Sequence, residues 1–269
     1  MSVILRRTAT RKAAGAPSSA PRTPPASAPA ARLPRLLPAT MWSREWLLTL
    51  ARPRSVVLKL AMPLVLGVPL VAGHAPTFWA GMLLTVLVAM TGAVGSGVSL
   101  ARARSGGLLA RLAVVPQPPA RVVGGWVLAA AAVDTVQMLP VALVVVAGAS
   151  PLAALALLAC IPAVVLLTNT LGCALSLLAD NPGEVLLDVV VVLAPLLFLG
   201  GLFTGVPRDG WRWIAARLDP FAYLHSAFVG ALGGSPTFSA TEVLVAAALT
   251  AVVSAAALAA LSRALLARG

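Results

Sequence analysis

Six long apolar blocks, separated by short polar or turn-rich segments, dominate the pattern of residues along this chain. The blocks lie at about residues 55–73, 77–99, 121–148, 151–178, 185–204 and 240–262. Each is close to the roughly 20 residues that a helix needs to cross a bilayer. The blocks are continuous rather than alternating, which favours spanning helices over the strands of a barrel. The pattern therefore predicts an all-α membrane protein with six transmembrane helices.

The first 40 residues differ from the rest of the chain in composition. They are rich in Pro, Ala, Ser and Arg, and such a segment cannot bury enough apolar surface to offset the entropy lost on ordering. We expect residues 1–40 to form a disordered basic tail, followed by a membrane domain over residues 41–269. An alternative is that translation starts at Met41.

The segment that leads into the first block is amphipathic. Trp42 and Trp46 recur at helical spacing, while Arg44 and Glu45 supply a polar side. A helix of this kind lies in the membrane interface with its tryptophans at the depth of the headgroups. We expect an N-terminal interfacial helix on the cytoplasmic side, and we call it the amphipathic helix.

Small residues cluster in the second block, at Gly92, Gly95, Ser96 and Gly97. Such residues allow the backbones of two membrane helices to approach closely. We therefore expect tight packing of the second span against a neighbour rather than chemistry at this position.

Between the fifth and sixth blocks, residues 200–223 mix apolar and interfacial residues and include no clearly hydrophilic loop. Non-helical backbone at membrane depth is tolerated only where protein or a water-filled cavity surrounds it. We expect a short re-entrant helical segment that seals a pathway from the outside, with a weak exposed pair between Arg217 and Asp219. The candidate residues of this extracytoplasmic gate are Pro207, Trp211, Pro220 and Tyr223.

The composition agrees with a membrane protein. Hydrophobic residues make up 59% of the chain and charged residues 10%, whereas about a quarter of the residues of a soluble domain are charged. The net charge of +12 raises the question of nucleic acid. There is, however, no basic stripe with interleaved aromatic residues on a soluble fold, so we expect no nucleic-acid partner.

The distribution of positive charge predicts the orientation. With six spans and the N-terminus inside, 17 of the 20 Lys and Arg residues lie on the cytoplasmic side. The other three are Arg208, Arg212 and Arg217. Because cytoplasmic loops carry an excess of positive charge, we expect a multi-pass protein of the plasma membrane with both termini in the cytoplasm.

The loop between the second and third blocks is the longest polar interruption that carries several basic residues and no acidic residue. After Gly106 and Gly107 it contains a short helical pattern that Pro116 ends. The orientation places this loop in the cytoplasm, where we expect a docking element for a partner protein. Its candidate residues are Arg102, Arg104, Gly107, Leu108, Leu109, Arg111, Leu112 and Pro116.

Searches for catalytic or metal-binding patterns argue against an enzyme. Neither lysine of the chain lies in a Gly-x-x-x-x-Gly-Lys-Ser/Thr loop, so the chain cannot hold ATP phosphates in that manner. His74 and His225 have no metal-ligand partner at usable spacing. Cys160 and Cys173 fit no metal or redox motif, and we expect them to be small buried packing residues.

A protease is the sharpest enzymatic alternative. Gly97-Val98-Ser99-Leu100 has the Gly-x-Ser-x form of rhomboid-type intramembrane proteases, with His225 as the candidate base. A nucleophile and its base must come within about 3 Å. The predicted topology separates Ser99 from His225 by much of a bilayer roughly 30 Å thick, which argues against this chemistry.

Asp134 is an acidic residue in the middle of an apolar block. A carboxylate there costs at least about 2.5–3.5 kcal/mol on insertion scales, so it should face a polar interior or be protonated. Gln137 lies three residues on and therefore on the same helical face, and Asn169 and Thr168 are possible partners in the fourth span. Two interpretations remain open, a polar lining of the substrate path and an interhelical contact that fixes packing.

Three segments together resemble the permeases of ABC-2-type exporters, close to the daunorubicin-resistance branch of drug and complex-lipid exporters. They are the amphipathic helix from Trp42 to Arg54, the basic loop Arg104-Ser-Gly-Gly-Leu-Leu-Ala-Arg-Leu-Ala-Val-Val-Pro116, and Phe198-Leu-Gly-Gly-Leu-Phe-Thr-Gly-Val-Pro207 followed by Trp211 and Pro220-Phe-Ala-Tyr223. The resemblance covers about residues 41–269.

This resemblance implies a permease subunit that exports a hydrophobic or amphipathic compound, such as a drug, an antibiotic or a lipid, and that contributes to drug resistance. It implies no cofactor bound directly, with ATP and magnesium on a separate cytoplasmic ATPase subunit. It also implies a dimer with a second copy or a sister permease. The docking elements would be the basic loop, the amphipathic helix and, less strongly, the turn at residues 180–184. The alternatives are an ion-coupled secondary transporter that uses Asp134 and a non-transporting membrane anchor.

Overall fold

The computed structural model describes residues 41–51, 53–108, 119–206 and 209–267, and all regular secondary structure in these ranges is α-helical. In chain order the helices are α1 (Met41–Leu50), α2 (Pro53–Ala72), α3 (Thr77–Ser105), α4 (Pro119–Val146), α5 (Pro151–Leu175), α6 (Pro182–Leu199), α7 (Gly210–Leu218), α8 (Pro220–Ala231) and α9 (Ala240–Ala267). The predicted tail at residues 1–40 lies outside the described residues. The described helices agree with the all-α class.

Local sequence fixes where most of these helices begin. Five of them, α2, α4, α5, α6 and α8, have proline as their first residue, a position where the missing N–H is not needed and the fixed φ suits the helix. Side chains cap three of the same helices. Ser150 caps α5, Asn181 caps α6 and Asp219 caps α8. Each accepts a hydrogen bond from a backbone N–H of the first turn, which a helix leaves without an internal partner.

Within the described ranges, five helical segments are long and apolar enough to cross a membrane. They are Thr77–Ser105, Arg121–Val146, Pro151–Leu175, Pro182–Leu199 and Ala240–Ser262. They match the second to sixth predicted blocks. The first block falls on α2, whose apolar part, Val56–Ala72, is shorter.

The predicted and observed boundaries differ most at the end of α3. This helix continues to Ser105, six residues beyond the predicted end of the second block. Arg102 and Arg104 therefore lie on its last turn rather than in a loop, and basic residues there interact favourably with the helix dipole. The helix of the fifth predicted block lies earlier in the chain than the block at 185–204, since α6 begins at Pro182 and ends at Leu199.

α3 and α5 pack against each other through small residues. A Cβ atom added to Gly172 of α5 would lie 2.1 Å from the carbonyl oxygen of Ala93, and one added to Gly92 of α3 would lie 2.2 Å from Oγ1 of Thr168. Only glycine allows two helix backbones to come this close. The predicted tight packing of the second span is confirmed.

The ends of the long helices fall on two sides of the bundle. α3 and α5 end, and α4 and α6 begin, on the side that carries Arg102 and Arg104, which we call the basic end. α8 packs beside the start of α3, where Nε2 of His225 lies 3.1 Å from the carbonyl oxygen of Phe78. The side on which α3 begins is called the opposite end.

Candidate functional site

A buried polar cluster joins α2, α4 and α5 inside the bundle. Nδ2 of Asn169 donates a hydrogen bond to Oδ2 of Asp134 at 3.2 Å, and Nζ of Lys59 lies 3.8 Å from Oδ1 of Asp134. Asp134 and Asn169 are buried, whereas Lys59 is about half exposed. Of the two possible partners suggested for Asp134, Asn169 is the one that contacts it. Thr168, the other suggested partner, instead donates to carbonyl oxygens of its own helix.

Gln137 leaves this polar face incompletely satisfied. It is buried one turn after Asp134, and neither its Nε2 nor its Oε1 has a hydrogen-bond partner among the described residues. Oδ1 of Asn169 lacks a described partner as well. Buried polar groups without partners are costly. The cluster therefore has spare capacity to bind a polar group.

Lys59 changes the electrostatic picture of the cluster. A lone carboxylate in a spanning helix is costly, and a neighbouring ammonium group offsets part of that cost. Pairs of this kind are close to neutral for stability as long as both partners remain, but removing one partner leaves the other charge uncompensated. The pair can therefore hold α2 against α4.

At the basic end, Arg104 ties the end of α3 to the segment that follows α5. Its Nη1 donates to the carbonyl oxygen of Ser176 at 2.9 Å, and its Nη2 donates to the carbonyl oxygen of Ala179. Carbonyl groups at the C-terminus of a helix lack internal partners and carry the negative end of the helix dipole. The guanidinium group is thus engaged within the chain, and it fixes the position of residues 176–179.

The turn after this segment is fixed by its own side chains. Oδ1 of Asn181 accepts from the backbone N–H groups of Gly183 and Glu184, at 2.9 and 3.1 Å. In return, the carboxylate of Glu184 accepts from the backbone N–H of Asp180 and from Nδ2 of Asn181, both at 2.7 Å. This reciprocal arrangement resembles a capping box, and it makes residues 180–184 a well-defined turn.

Leu178 is exposed at the basic end, between Ser176 and Ala179, whose carbonyl oxygens accept hydrogen bonds from Arg104. Its side chain is 73% exposed, although the residues on either side, Leu177 and Ala179, are half-buried and buried. A single exposed apolar side chain needs no explanation by itself, so it is the position of Leu178 at the basic end that makes it a candidate contact. Arg102 is also exposed here, on the last turn of α3.

The predicted basic loop is described only in part. Gly107 has a φ of +69°, a left-handed conformation that favours glycine. It turns the chain so that Leu108 packs against a small cluster that includes Val123 and Trp126. The remaining predicted residues of this loop, Leu109, Arg111, Leu112 and Pro116, lie outside the described residues.

The amphipathic helix corresponds to α1, which packs against α2 and α4. Trp42 is exposed and Trp46 is half-buried, so one tryptophan contacts the bundle while the other faces outward. The side chains of Arg44 and Glu45 lie outside the described part of the structure.

The segment between α6 and α9 forms two short helices at the opposite end. On α7, Trp211, Ile214 and Leu218 are exposed at the spacing of one helical face, which is the arrangement of a helix that rests in the membrane interface. α8 is mostly buried. Of the predicted gate residues, Pro220 and Tyr223 are half-buried on α8, Trp211 is exposed on α7, and Pro207 lies outside the described residues.

The expected pair between Arg217 and Asp219 does not form. Nη2 of Arg217 instead lies 3.8 Å from Oε1 of Glu242 at the start of α9. Asp219 is buried and caps α8, where its Oδ1 accepts from the backbone N–H of Phe221 at 2.9 Å. Burial raises the pKa of Asp219 to about 7, although the hydrogen bond from Phe221 acts in the opposite direction.

The separation of Ser99 from His225 agrees with the argument against a protease. His225 contacts the carbonyl group of Phe78 at the start of α3, and Ser99 follows 21 residues later on the same helix. At a rise of 1.5 Å per residue, the two sites are about 31 Å apart. Among the described residues, no group of three or more His, Cys, Asp or Glu side chains could hold a metal ion.

Several features of these sites were missed from the sequence. Lys59 was counted only as a topogenic charge, yet its position among apolar residues of α2 was a signal of a buried partner. The pattern Ser239-x-x-Glu242 is typical of a capping box at the start of α9, but it does not indicate that Glu242 meets Arg217. No sequence signal indicates Leu178.

Comparison with known proteins adds one match. The family model described as ABC-2 type transporter matches residues 39–232, which is more than half of the chain. No curated protein and no solved structure matches the chain.

Proposed function

The chain belongs to the ABC-2 type transporter family, and on that premise we propose that it is the permease subunit of an ATP-driven exporter. Its cargo is a hydrophobic or amphipathic compound, such as a drug, an antibiotic or a lipid. ATP and magnesium bind a separate cytoplasmic ATPase subunit, and the permease pairs with a second copy or a sister permease. The family match is the observation that carries this proposal.

The proposed topology has six spans and both termini in the cytoplasm. α2 is the remaining span and the first in chain order, since its apolar part, Val56–Ala72, is at the lower limit of the roughly 17–25 residues that a spanning helix needs. The excess of Lys and Arg in the segments that a six-span topology puts on this side supports a cytoplasmic position for the basic end. The segment containing α7 and α8 is then extracytoplasmic and closes the pathway from outside.

The ATPase docks on the basic end. Two chain segments that are far apart in sequence meet there, because Arg104 holds the segment after α5 against the end of α3. This contact favours a docking face composed of both segments over a single loop. Leu178 provides an exposed apolar anchor, and Arg102 provides an exposed charge. Movement of the ATPase subunits would reach α3 and α5 together, which a two-state transporter requires.

The test is co-purification with the candidate ATPase in lipid, followed by measurement of vanadate-sensitive ATP hydrolysis. Leu178→Glu should reduce the amount of bound ATPase at least tenfold, because it places a charge in an apolar contact. Leu178→Met is the matched control and should bind like the native chain. In the basic loop, Leu109→Asp and Arg111→Glu should release the ATPase as well.

Size-exclusion profiles of the permease alone show whether each variant is folded. The docking proposal fails if the ATPase remains bound in the Leu178→Glu variant and in both loop variants. The ATP-driven proposal fails if no ATPase co-purifies and uncouplers abolish transport. That second result would favour an ion-coupled transporter that uses Asp134. If neither ATP nor an ion gradient supports transport, the chain is a membrane anchor.

The polar cluster of Asp134, Gln137 and Asn169 is the proposed polar contact for cargo within the spans. The support is that both amide atoms of Gln137 and Oδ1 of Asn169 are buried without a hydrogen-bond partner among the described residues. Asp134→Asn should change the relative transport of neutral and cationic cargo while leaving basal ATPase activity unaffected. A uniform loss of folded protein would instead favour the interhelical packing role.

A further inference from the structure

A groove of about 560 Å³ runs along α9 at the opposite end of the bundle. Its wall is mostly apolar and includes Val245, Leu249 and Val253 of α9, with Leu167 of α5. Thr241 and Thr250 of α9 also line it. Arg217 and Glu242 lie together at one end of the groove. The volume is within the range of small-molecule sites, roughly 300–1,000 Å³.

The length of the groove matches one leaflet of a bilayer. Glu242 is in the first turn of α9, and Val253 lies 11 residues further along the helix. At 1.5 Å per residue this distance is about 16 Å, which is half of a hydrocarbon core about 30 Å thick. A chain that follows the groove would therefore extend from the membrane interface to the bilayer midplane.

The mouth of the groove presents one positive and one negative charge. Nη2 of Arg217 and Oε1 of Glu242 are 3.8 Å apart, and the two side chains are 55% and 46% exposed. Each side chain has a second contact that limits its movement. Arg217 lies over the ring of Trp213 at 5.5 Å, and Oε2 of Glu242 accepts from the backbone N–H and hydroxyl of Ser239, both at 2.8 Å.

This arrangement favours a ligand with both charges. A purely anionic headgroup would meet the carboxylate of Glu242, and a purely cationic headgroup would meet the guanidinium of Arg217. A headgroup with a phosphate beside a primary ammonium group can satisfy both, through charge-assisted hydrogen bonds that are stronger than neutral ones. The phosphate faces Arg217, whose planar fork suits phosphate oxygens.

We propose that this groove binds one zwitterionic phospholipid of the phosphatidylethanolamine type. The headgroup spans Arg217 and Glu242, and one acyl chain follows Val245, Leu249 and Val253. The lipid comes from the leaflet at which α9 begins. It seals the cleft between α9 and the α7–α8 segment, which is the segment proposed to close the pathway.

The experiment measures lipid retained by the full-length purified chain after exchange with vesicles of phosphatidylethanolamine, phosphatidylcholine and phosphatidylglycerol, by native mass spectrometry. Val253→Trp fills the groove and should reduce retained phosphatidylethanolamine at least tenfold. Val252→Trp is the matched control, because Val252 is the next residue on α9, is similarly exposed (67% against 61%), and does not line the groove. This control should retain lipid like the native chain.

Headgroup recognition is tested with Glu242→Gln and Arg217→Gln. Glutamine also serves in a capping box, so Glu242→Gln should preserve α9 while shifting the preference at least fivefold toward phosphatidylglycerol. Arg217→Gln should lower retention of all three lipids. Equal retention in the Val253→Trp and Val252→Trp variants, or an unchanged headgroup preference in both glutamine variants, would overturn the proposal.

The apolar face of α9 also has a second possible occupant, another copy of this chain. If Val253→Trp changes the oligomeric state while lipid retention stays at the native level, the groove is a contact between copies and the lipid proposal is wrong. The measurement requires no ATPase and no cargo, so its outcome is independent of the proposed export function.

Discussion

Replacing Gly172 with alanine should destabilise the bundle because α3 and α5 meet at this residue. The added methyl group would lie 2.1 Å from the carbonyl oxygen of Ala93, where ordinary contacts begin at 3.4 Å. The obstructing atom belongs to backbone, so no side-chain rotation can relieve the clash. The two helices would have to separate by about 1 Å, and close packing makes such shifts costly.

The expected magnitude combines three contributions. Overpacking a core costs about 1–3 kcal/mol. Separation of the helices also weakens the hydrogen bond from Oγ of Ser96 to the carbonyl oxygen of Asn169, at 2.9 Å, which contributes about 1 kcal/mol. Alanine is favoured over glycine in a helix by about 1 kcal/mol. The net loss is about 2 kcal/mol, or roughly a 30-fold change in the ratio of folded to unfolded protein.

The assay is reversible unfolding in mixed detergent micelles, followed by tryptophan fluorescence and circular dichroism. Gly230→Ala is the matched control, because a Cβ atom at Gly230 would lie 3.5 Å from Pro236, an ordinary contact. This control should be unchanged or up to about 1 kcal/mol more stable. A Gly172→Ala variant as stable as the native chain would refute the close backbone approach of α3 and α5.

Three further predictions concern charged groups. Arg104→Ala should lower the free energy of unfolding by about 1–3 kcal/mol and increase protease cleavage after α5. Arg104→Lys should restore only part of the stability, because lysine lacks the planar fork. Equal cleavage in the native chain and both variants would contradict the tie between α3 and α5. Lys59→Met should reduce the yield of folded protein, because it leaves the carboxylate of Asp134 without its countercharge. Adding Asp134→Asn to the same chain should restore the yield. A Lys59→Met variant with native yield would show that the pair does not stabilise the fold. The pKa of Asp219 is raised from 3.8 to about 7, so the folded chain binds more protons than the unfolded chain between these two pH values. The free energy of unfolding should therefore decrease as pH rises from about 4 to 7, by up to about 4 kcal/mol. Asp219→Asn, which retains a capping side chain, should reduce this pH dependence in thermal melts, and an identical pH profile in the two chains would disprove the buried ionisable carboxyl group.

The sequence by itself determined the class of the protein and most of its helices. Apolar blocks of about 20 residues need no partner to indicate a spanning helix, since the energetics of crossing a bilayer are local to the segment. Proline at the first helical position and capping residues such as Asn181 act within one turn of the chain. The small residues around Gly92 likewise indicated a close helix contact before its partner was known.

Only the tertiary structure decided which distant groups meet. Arg217 was paired in sequence with the nearby Asp219, but Asp219 is buried as the cap of α8 and Glu242 of α9 lies beside Arg217 instead. Asp134 forms an ion pair with Lys59, and Arg104 donates hydrogen bonds to the carbonyl oxygens of Ser176 and Ala179. The physical reason is that short-range sequence signals fix the helices, whereas charge pairs and grooves depend on how the helices pack. That packing is set by shape at contacts such as Gly172 against Ala93, which no single segment reveals.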